Sequence, residues 1–283
     1  MPAPNAPTLA ERGPALGDAE FRRIAAILHE DSGIHLPPGK TSLVYSRLAK
    51  RLRALGLESF RDYCTLITSE EGLGERQAML SALTTNVTHF FRETHHFIDL
   101  ASQLRNGWAS RVRSGGKLRI WSAACSSGEE AYSAAMILLA EIPDIARYDV
   151  RILATDIDPV IVAKARAGIY PQAVAEHVPK IMRDRCMERQ ADGTYAVSQA
   201  VRDLVAFNEL NLMADWPMKG RFDAIFCRNV AIYFEEATQE RLWGRFAPML
   251  APDGRLYVGH SERVGDPRFK SDGLTAYRLA NAP

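Results

Sequence analysis

The first residues of this chain that suggest chemistry follow a short apolar segment, RIWSA, in the sequence AACSSGEE. The small side chains over 123–128 allow a backbone to approach a ligand closely, as happens where an open α/β sheet binds its ligand outside the carboxyl end of a strand. Because the loop has one glycine where the dinucleotide fingerprint GxGxxG has three, a pyrophosphate is disfavoured. The loop therefore predicts a site for a ligand other than a dinucleotide.

Two acidic residues, Glu129 and Glu130, stand where the helix after this loop is predicted to begin. They would repel a phosphate but would pair with a cationic amine. Carboxylates at this position also complement the positive end of a helix dipole without any ligand. The residues alone leave both interpretations open.

Further polar residues stand where later strands are predicted to end. Asp156 closes ILATD, where a carboxylate can take the hydroxyls of a ribose, although acidic residues there, such as Asp158, also cap the next helix. Asn211 and Asn229 follow FNEL and IFCR. An asparagine amide donates and accepts hydrogen bonds, so each suits either an adenine edge or the bracing of a loop.

The segment TTNVTHFFRE contains Asn86, Thr88 and Arg92 beside two phenylalanines. A guanidinium can bind a carboxylate through two parallel hydrogen bonds, so Arg92 is a candidate ligand, the alternative being a surface arginine beside a core aromatic pair. The histidines at 89, 95 and 96 lack the spacing to acidic or cysteine partners that is typical of metal ligands. We interpret them as structural and predict no metal site.

Periodicity divides the chain into parts that must position these residues. One helical pattern begins at Asp18 and ends at Gly33, and a second runs from Lys40 to Leu55. Further helical patterns follow a Ser59 cap, cover 74–85 and begin near Glu93, whereas strands alternate with helices after residue 116. That alternation predicts a doubly wound α/β domain. The expected divisions are a disordered tail (1–17), a helical domain (18–85), a linker with a ligand-contacting segment (86–116), and an α/β domain (117–283) with a small inserted β-rich subdomain (about 170–207).

Composition excludes several classes of protein. The proportions of hydrophobic (47%) and charged (24%) residues are typical of a soluble globular protein. A net charge of +1 disfavours binding to nucleic acid or to an anionic membrane. The four cysteines are scattered without a CxxC pair, which argues against disulfides and zinc and fits a reducing cytosol. We see neither a signal peptide nor an apolar run of about 18 residues, so a cytoplasmic protein without membrane insertion is expected.

Five segments in order resemble the CheR family of chemotaxis receptor methyltransferases: TNVTHFFRE, IWSAACSSGEEAYS, ATDID, FDAIFCRNVAIYF and GHSE. The resemblance implies an α/β fold, a Rossmann-like S-adenosylmethionine methyltransferase domain with a small inserted β-subdomain, preceded by a small all-α N-terminal domain. It also implies S-adenosylmethionine as cofactor. The implied cofactor pocket comprises Asn86, Thr88, Arg92, Glu129, Asp156, Asn211, Leu212, Arg228 and Asn229.

The reaction implied by the resemblance is methyl transfer to glutamate side chains of chemoreceptors, which gives methyl esters for chemotaxis adaptation. A glutamate carboxylate is already ionised at neutral pH, so it needs no general base. We nominate Tyr233, just beyond CRN, as a residue lining the methyl-transfer site. The alternatives are a methyltransferase of the same fold acting on another substrate, and a non-catalytic cofactor-binding signalling module.

The implied partner is the helical cytoplasmic domain of methyl-accepting chemoreceptors. An acidic helical substrate needs a local basic surface, and Arg47, Lys50 and Arg51 share one face of the second predicted helix. That face is interpreted as the docking surface, the alternative being a solvated basic face without a partner. A monomer is expected.

Overall fold

The computed structural model describes residues 14–281 and divides the chain after Thr85 into two compact units. Positions 1–13 of the predicted tail (1–17) lie outside the described residues. Residues 14–17 precede the first helix. Within 14–281 there is no helix with both the length and the apolar character needed to cross a membrane.

The first unit consists of helices. They are α1 (Asp18–Ser32), α2 (Thr41–Leu55), α3 (Phe60–Thr68) and α4 (Leu73–Leu83). Gly33 and Gly56 end α1 and α2 in the left-handed conformation, with φ of 75° and 67°, and the Ser59 side chain caps α3 by accepting from the Asp62 N–H. The apolar faces predicted from the 3.6-residue spacing are buried, as Leu28 and Leu48 show.

The second unit begins with the helix that was predicted near Glu93, within the segment 86–116 that was assigned as a linker. Helix α5 (His95–Gln103) continues through a π-helical turn at Leu104–Trp108 into α6 (Ala109–Arg113). Leu100, Leu104 and Val112 are buried in the same core as the first strand. The linker assignment for 86–116 is therefore wrong, because the apolar face of these helices belongs to the core of the second unit.

The remaining elements alternate between strands and helices. In chain order they are β1 (Leu118–Ala123), α7 (Glu129–Glu141), β2 (Val150–Asp156), α8 (Pro159–Ala167), β3 (Ile169–Tyr170), α9 (Gln172–Ala175), α10 (Lys180–Cys186), β4 (Met187–Arg189), β5 (Tyr195–Val197), α11 (Gln199–Arg202), β6 (Val205–Glu209), β7 (Phe222–Cys227), α12 (Glu236–Phe246), β8 (Leu250–Val258), β9 (Phe269–Ser271) and β10 (Ala276–Leu279).

Seven of these strands form one sheet in the order β6-β2-β1-β7-β8-β10-β9. The pairings from β6 to β8 are parallel, and β10 is antiparallel to both β8 and β9. Ile120 in β1 pairs with Ile152 on one side and with Ala224 on the other. The carboxyl ends of β1, β2, β6 and β7 therefore meet at one edge, and the predicted α/β fold preceded by an all-α domain is confirmed.

A second, three-stranded antiparallel sheet in the order β3-β5-β4 forms the inserted subdomain. Its β4–β5 hairpin turns through Gly193, at φ of 85°. The predicted insertion also included DLVAF, but β6 pairs with β2 in the large sheet, as in Ala154 with Phe207. That part of the boundary is wrong, since an alternating pattern indicates a strand without indicating its partner.

Candidate functional site

The loop between β1 and α7 is a tight turn at the carboxyl edge of the sheet. Ala124 and Ser126 adopt positive φ angles of 67° and 50°, a region that costs non-glycine residues about 1–2 kcal/mol each. The end of β2 offsets this cost, because Cys125 N–H donates to the Thr155 carbonyl over 2.8 Å and Ser126 N–H donates to the Asp156 carboxylate over 2.8 Å. Strain at this loop marks it as a functional candidate.

Asp156 and Asp158 have different roles at the end of β2. Asp158 caps α8 by accepting a hydrogen bond from the Val160 N–H over 3.0 Å, which is the capping role that the sequence analysis considered for it. Asp156 accepts from Ser126 N–H and from Asp158 N–H, which leaves carboxylate lone pairs for hydroxyl donors. Burial raises the pKa of Asp156, although the backbone hydrogen bonds it accepts favour its charged form. Asp156 thus remains the ribose-binding candidate.

The two glutamates at the start of α7 are not equivalent. Glu129 is buried and accepts from the Ser127 hydroxyl over 2.6 Å. Glu130 accepts from the Ser122 hydroxyl over 2.6 Å and from Arg228 over 3.0 Å, so an internal cation already neutralises it. Burial raises the pKa of Glu130, opposed chiefly by Arg228. Glu129 is therefore the candidate of the two for an amine.

Arg228, which follows β7, joins three segments of the site. Its side chain is 2% exposed, and it donates to Glu130 and to the Arg92 carbonyl while lying 3.5 Å from Glu93. Burial alone would raise the pKa of Glu93, but Arg228 and hydrogen bonds from His260 outweigh it and lower the pKa to about 2. This ion-pair network fixes the segment before α5 to the end of β7.

The segment over 86–93 is anchored by its aromatic pair. Phe90 packs edge-on against Tyr170 at 4.9 Å, and Phe91 N–H donates to the Ser133 hydroxyl over 3.0 Å. Asn86 donates to Asp158 over 3.3 Å, and Arg92 donates to the Val87 carbonyl over 2.9 Å. Thr88 is half-buried in the same segment. These contacts bring Asn86 to the end of β2.

The other predicted pocket residues follow β6 and β7. The side chain of Asn211 accepts from the Met213 N–H over 2.8 Å, and the buried Leu212 offers its carbonyl to Arg245. Asn229 has a φ of 57°, and Tyr233, which is half-buried, ends a short 3-10 helix that begins at Ala231. These positions stand beyond the carboxyl ends of two parallel strands of the same sheet, β6 and β7, which β2 and β1 separate.

The predicted docking residues lie in the first unit, and two of them are engaged there. Arg47 donates to the carbonyls of Leu83 and Thr84 over 2.7 Å each, at the end of α4. Arg51 forms a bidentate pair with the buried Glu75. Lys50 is exposed. Much of the basic character expected for this face is thus used within the helical unit.

The histidines include one cluster that the sequence did not suggest. Glu93, His95 and His96 place possible ligand atoms within 4.8 Å of one another, the one such group found among residues 14–281. The Glu93 carboxylate already lies 3.5 Å from the Arg228 guanidinium, and Nε2 of each histidine lies within 3.3 Å of the Thr275 hydroxyl. Both histidines thus contact Thr275 through Nε2, which is consistent with a structural role for them.

Residues 86–277 match the family model described as CheR methyltransferase, SAM binding domain, and residues 19–84 match CheR methyltransferase, all-alpha domain. The chain belongs to the CheR methyltransferase family. Its cofactor is S-adenosylmethionine. A "Probable chemotaxis protein methyltransferase" of Rhizobium etli is 51% identical over 89% of this chain and 96% of its own length. The "Chemotaxis protein methyltransferase" of Escherichia coli K12 is 43% identical over 94% and 92%.

The residues present fit this cofactor. Among the described residues, Ser126 Oγ and Arg228 Nε are buried polar atoms without a hydrogen-bond partner, and they belong to the β1–α7 loop and to the end of β7. Such atoms are costly unless a polar ligand or water satisfies them. The edge also offers an aspartate, a glutamate and asparagine amides, which suit hydroxyls, an amine and an adenine.

Two residues of the site were not identified from the sequence, Glu93 and Glu262. Glu262 is buried, and its carboxylate accepts hydrogen bonds from backbone groups of the loop after β7. Both residues stand within segments quoted for the family resemblance, TNVTHFFRE and GHSE, which was the available signal. Neither spacing nor periodicity indicates a partner so far away in the chain.

Proposed function

We propose that this protein is a protein-glutamate O-methyltransferase that acts on the cytoplasmic helical domain of chemoreceptors. The observation that carries the proposal is the arrangement at the carboxyl edge, where Asp156 holds the strained β1–α7 loop within the domain that matches the family model. The names of the relatives, chemotaxis protein methyltransferases, supply the substrate class. We further propose that it works in the cytoplasm as a monomer.

Within this proposal the chain has a binding task and an alignment task. Asp156 would hold the ribose hydroxyls, Glu129 the amino group and Arg92 the carboxylate, with Asn211 and Asn229 at the adenine edge. Asn86, Thr88, Leu212 and Arg228 complete the proposed pocket. When bound, S-adenosylmethionine supplies an electrophilic methyl group on a sulfonium.

The substrate carboxylate is ionised at neutral pH, so no residue of the chain needs to remove a proton from it. Alignment and exclusion of water are the remaining sources of catalysis, and ideal orientation can contribute roughly 7–11 kcal/mol. Tyr233 is the proposed residue at the methyl-transfer position. Because Arg228 is paired with Glu130 and lies near Glu93, its guanidinium group is held in position before the substrate arrives, which favours a preorganised site.

Docking is proposed to use the exposed side of α2. Arg47 and Arg51 remain candidates, but their guanidinium groups are shared with the α4 carbonyls and Glu75. Lys50 is exposed, so it is the strongest candidate for a direct contact with an acidic receptor helix.

The test is transfer of a radiolabelled methyl group from S-adenosylmethionine into receptor-containing membranes. Label that is released by mild base identifies a carboxyl ester and supports the proposal. Label on a small carboxylic acid or on RNA would favour the same fold acting on another substrate. Cofactor binding without any transfer would favour a non-catalytic signalling module.

A further inference from the structure

Glu262 lies in the turn after β8 and is 2% exposed. Its own N–H donates to the Gly259 carbonyl over 2.9 Å, which closes the turn. Its carboxylate points at the loop after β7 and accepts several backbone hydrogen bonds. The donors are Val230 N–H at 2.9 Å, Ala231 N–H at 2.7 Å and Ile232 N–H at 3.3 Å to Oε1, and Asn229 N–H at 2.9 Å and Gly259 N–H to Oε2.

This pattern makes the carboxylate and the loop depend on each other. A buried carboxylate is costly unless it is fully hydrogen-bonded, and here burial raises the pKa of Glu262 while the backbone donors favour its charged form. Consecutive N–H groups that converge on one acceptor in this way form an anion-binding nest. In the loop conformation that supplies these donors, Asn229 has a positive φ of 57°.

Gly259 is a second, independent sign of this fit. A Cβ atom at this position would lie 2.4 Å from Asn229 Nδ2, 2.8 Å from Asn229 N and 2.8 Å from Glu262 Oε2. Only glycine permits so close an approach of the two segments. Glu93 Oε1 completes the contact, at 3.4 Å from Asn229 Nδ2 and 3.3 Å from the His260 N–H nitrogen.

We propose that Glu262 is the positioning residue of the loop over 229–233. It holds Asn229 for the cofactor and places Tyr233 for methyl transfer, without contacting cofactor or substrate itself. The proposal rests on the proposed function for the role of Tyr233, whereas the role of Asn229 requires only cofactor binding.

The test is Glu262→Gln. A glutamine amide keeps one acceptor oxygen and replaces the other with an NH₂ donor. That donor would face either the N–H groups of Asn229 and Gly259 or those of the three residues after Asn229, so the loop must shift. We expect affinity for S-adenosylhomocysteine, measured by calorimetry, to fall about tenfold, and kcat with receptor at saturating cofactor to fall at least as much.

The matched control is Asp223→Asn at the opposite, amino end of β7. Asp223 is also a buried carboxylate that accepts a backbone hydrogen bond, from Arg119 N–H over 2.7 Å, and an arginine contact, from Arg111. It is expected to lower the melting temperature as Glu262→Gln does while leaving S-adenosylhomocysteine affinity and kcat unchanged. If Glu262→Gln loses only stability, as the control does, the positioning role is refuted.

Gly259→Ala keeps the proposal testable if Glu262→Gln does not fold. It keeps the Glu262 side chain, but its Cβ would press on Asn229 and on the Glu262 carboxylate, so weaker S-adenosylhomocysteine binding is expected. Unchanged affinity with unchanged kcat would overturn the proposal. Because the calorimetry needs no receptor, it reports on the loop even if no receptor methylation is found. The positioning role and the proposed function therefore fail separately.

Discussion

At the scale of single residues, Asp156 both holds the β1–α7 loop and faces the proposed ribose position. Asp156→Ala removes a carboxylate whose charge-assisted hydrogen bonds are worth about 1.5–3 kcal/mol each. We therefore expect affinity for S-adenosylhomocysteine to fall about 10- to 100-fold, measured by calorimetry. Asp192→Ala, in the exposed β4–β5 turn, is the control and should bind normally. Unchanged affinity in Asp156→Ala would remove this residue from the pocket.

His96 predicts a pH dependence of stability. Burial lowers the pKa of this fully buried imidazole to about 3, and Arg228 adds to the effect. In the unfolded chain a histidine takes up its proton below a pKa of about 6.5, so the unfolded state binds more protons in the window between these values. Stability is therefore lost as pH falls through this window, by about 1.4 kcal/mol per pH unit.

The slope can be measured by urea unfolding between pH 7.5 and 5. All four tryptophans lie beyond residue 100, so their fluorescence reports on the second unit alone. His96→Gln is expected to flatten the slope relative to the wild type. His177→Gln, at an exposed histidine of the same unit, controls for the loss of an imidazole. An equally steep slope in His96→Gln would mean that another group carries the dependence.

Which residues could be predicted from the sequence depends on the distance to their partners. The Ser59 cap and the glycine at the end of α1 were predicted because each acts on backbone within a few residues. The caps that Arg47 provides for α4 and the contacts of Glu262 were not, since their partners are about 30 or more residues away. The pocket residues themselves were predicted only through the family resemblance.

At the scale of elements, α2 can be tested as a docking surface. Lys50→Glu reverses an exposed charge and is expected to weaken receptor methylation several-fold at low salt, with less effect at high salt, because exposed charges are screened. S-adenosylhomocysteine affinity should not change. Lys117→Glu, at an exposed lysine just before β1, is the matched control. Equal methylation by both variants at low salt and subsaturating receptor would exclude docking through Lys50.

Arg51 is a poor position for this test, although it shares the helix face. Its guanidinium pairs with Glu75, which also accepts from the Tyr63 hydroxyl over 2.9 Å. Arg51→Glu would set two carboxylates against each other at a buried position and destabilise the helical unit. Lost methylation in that variant would not separate docking from unfolding.

Two errors in the element assignments share a cause. The helices over 95–113 and strand β6 were recognised as helix and strand patterns, but the first was called a linker and the second part of the insertion. Both bury apolar residues, such as Trp108 and Phe207, against the core of the second unit. Local patterning predicts the type of an element, whereas membership of a domain is decided by contacts that are distant in sequence.

At the scale of the whole molecule, every proposed cofactor contact lies between Asn86 and Asn229, within the second unit. That unit has its own core around β1 and α7. A fragment of residues 86–283 is therefore expected to fold and to bind S-adenosylhomocysteine within a few-fold of the full chain, while losing receptor methylation with the docking helix. Calorimetry on both proteins checks this, and failure of a folded fragment to bind would contradict the expectation.

The pairing of Ile120 with Ala224 has a consequence for the way the protein is made. A ribosome releases β1 long before β7, whereas the helices of the first unit are complete once Leu83 has emerged. β1 can pair early with β2, but its other edge stays uncovered until β7 arrives. The nascent chain is thus expected to carry a finished helical unit ahead of an unfinished sheet, and in that interval the exposed edge of β1 is a natural target for chaperones.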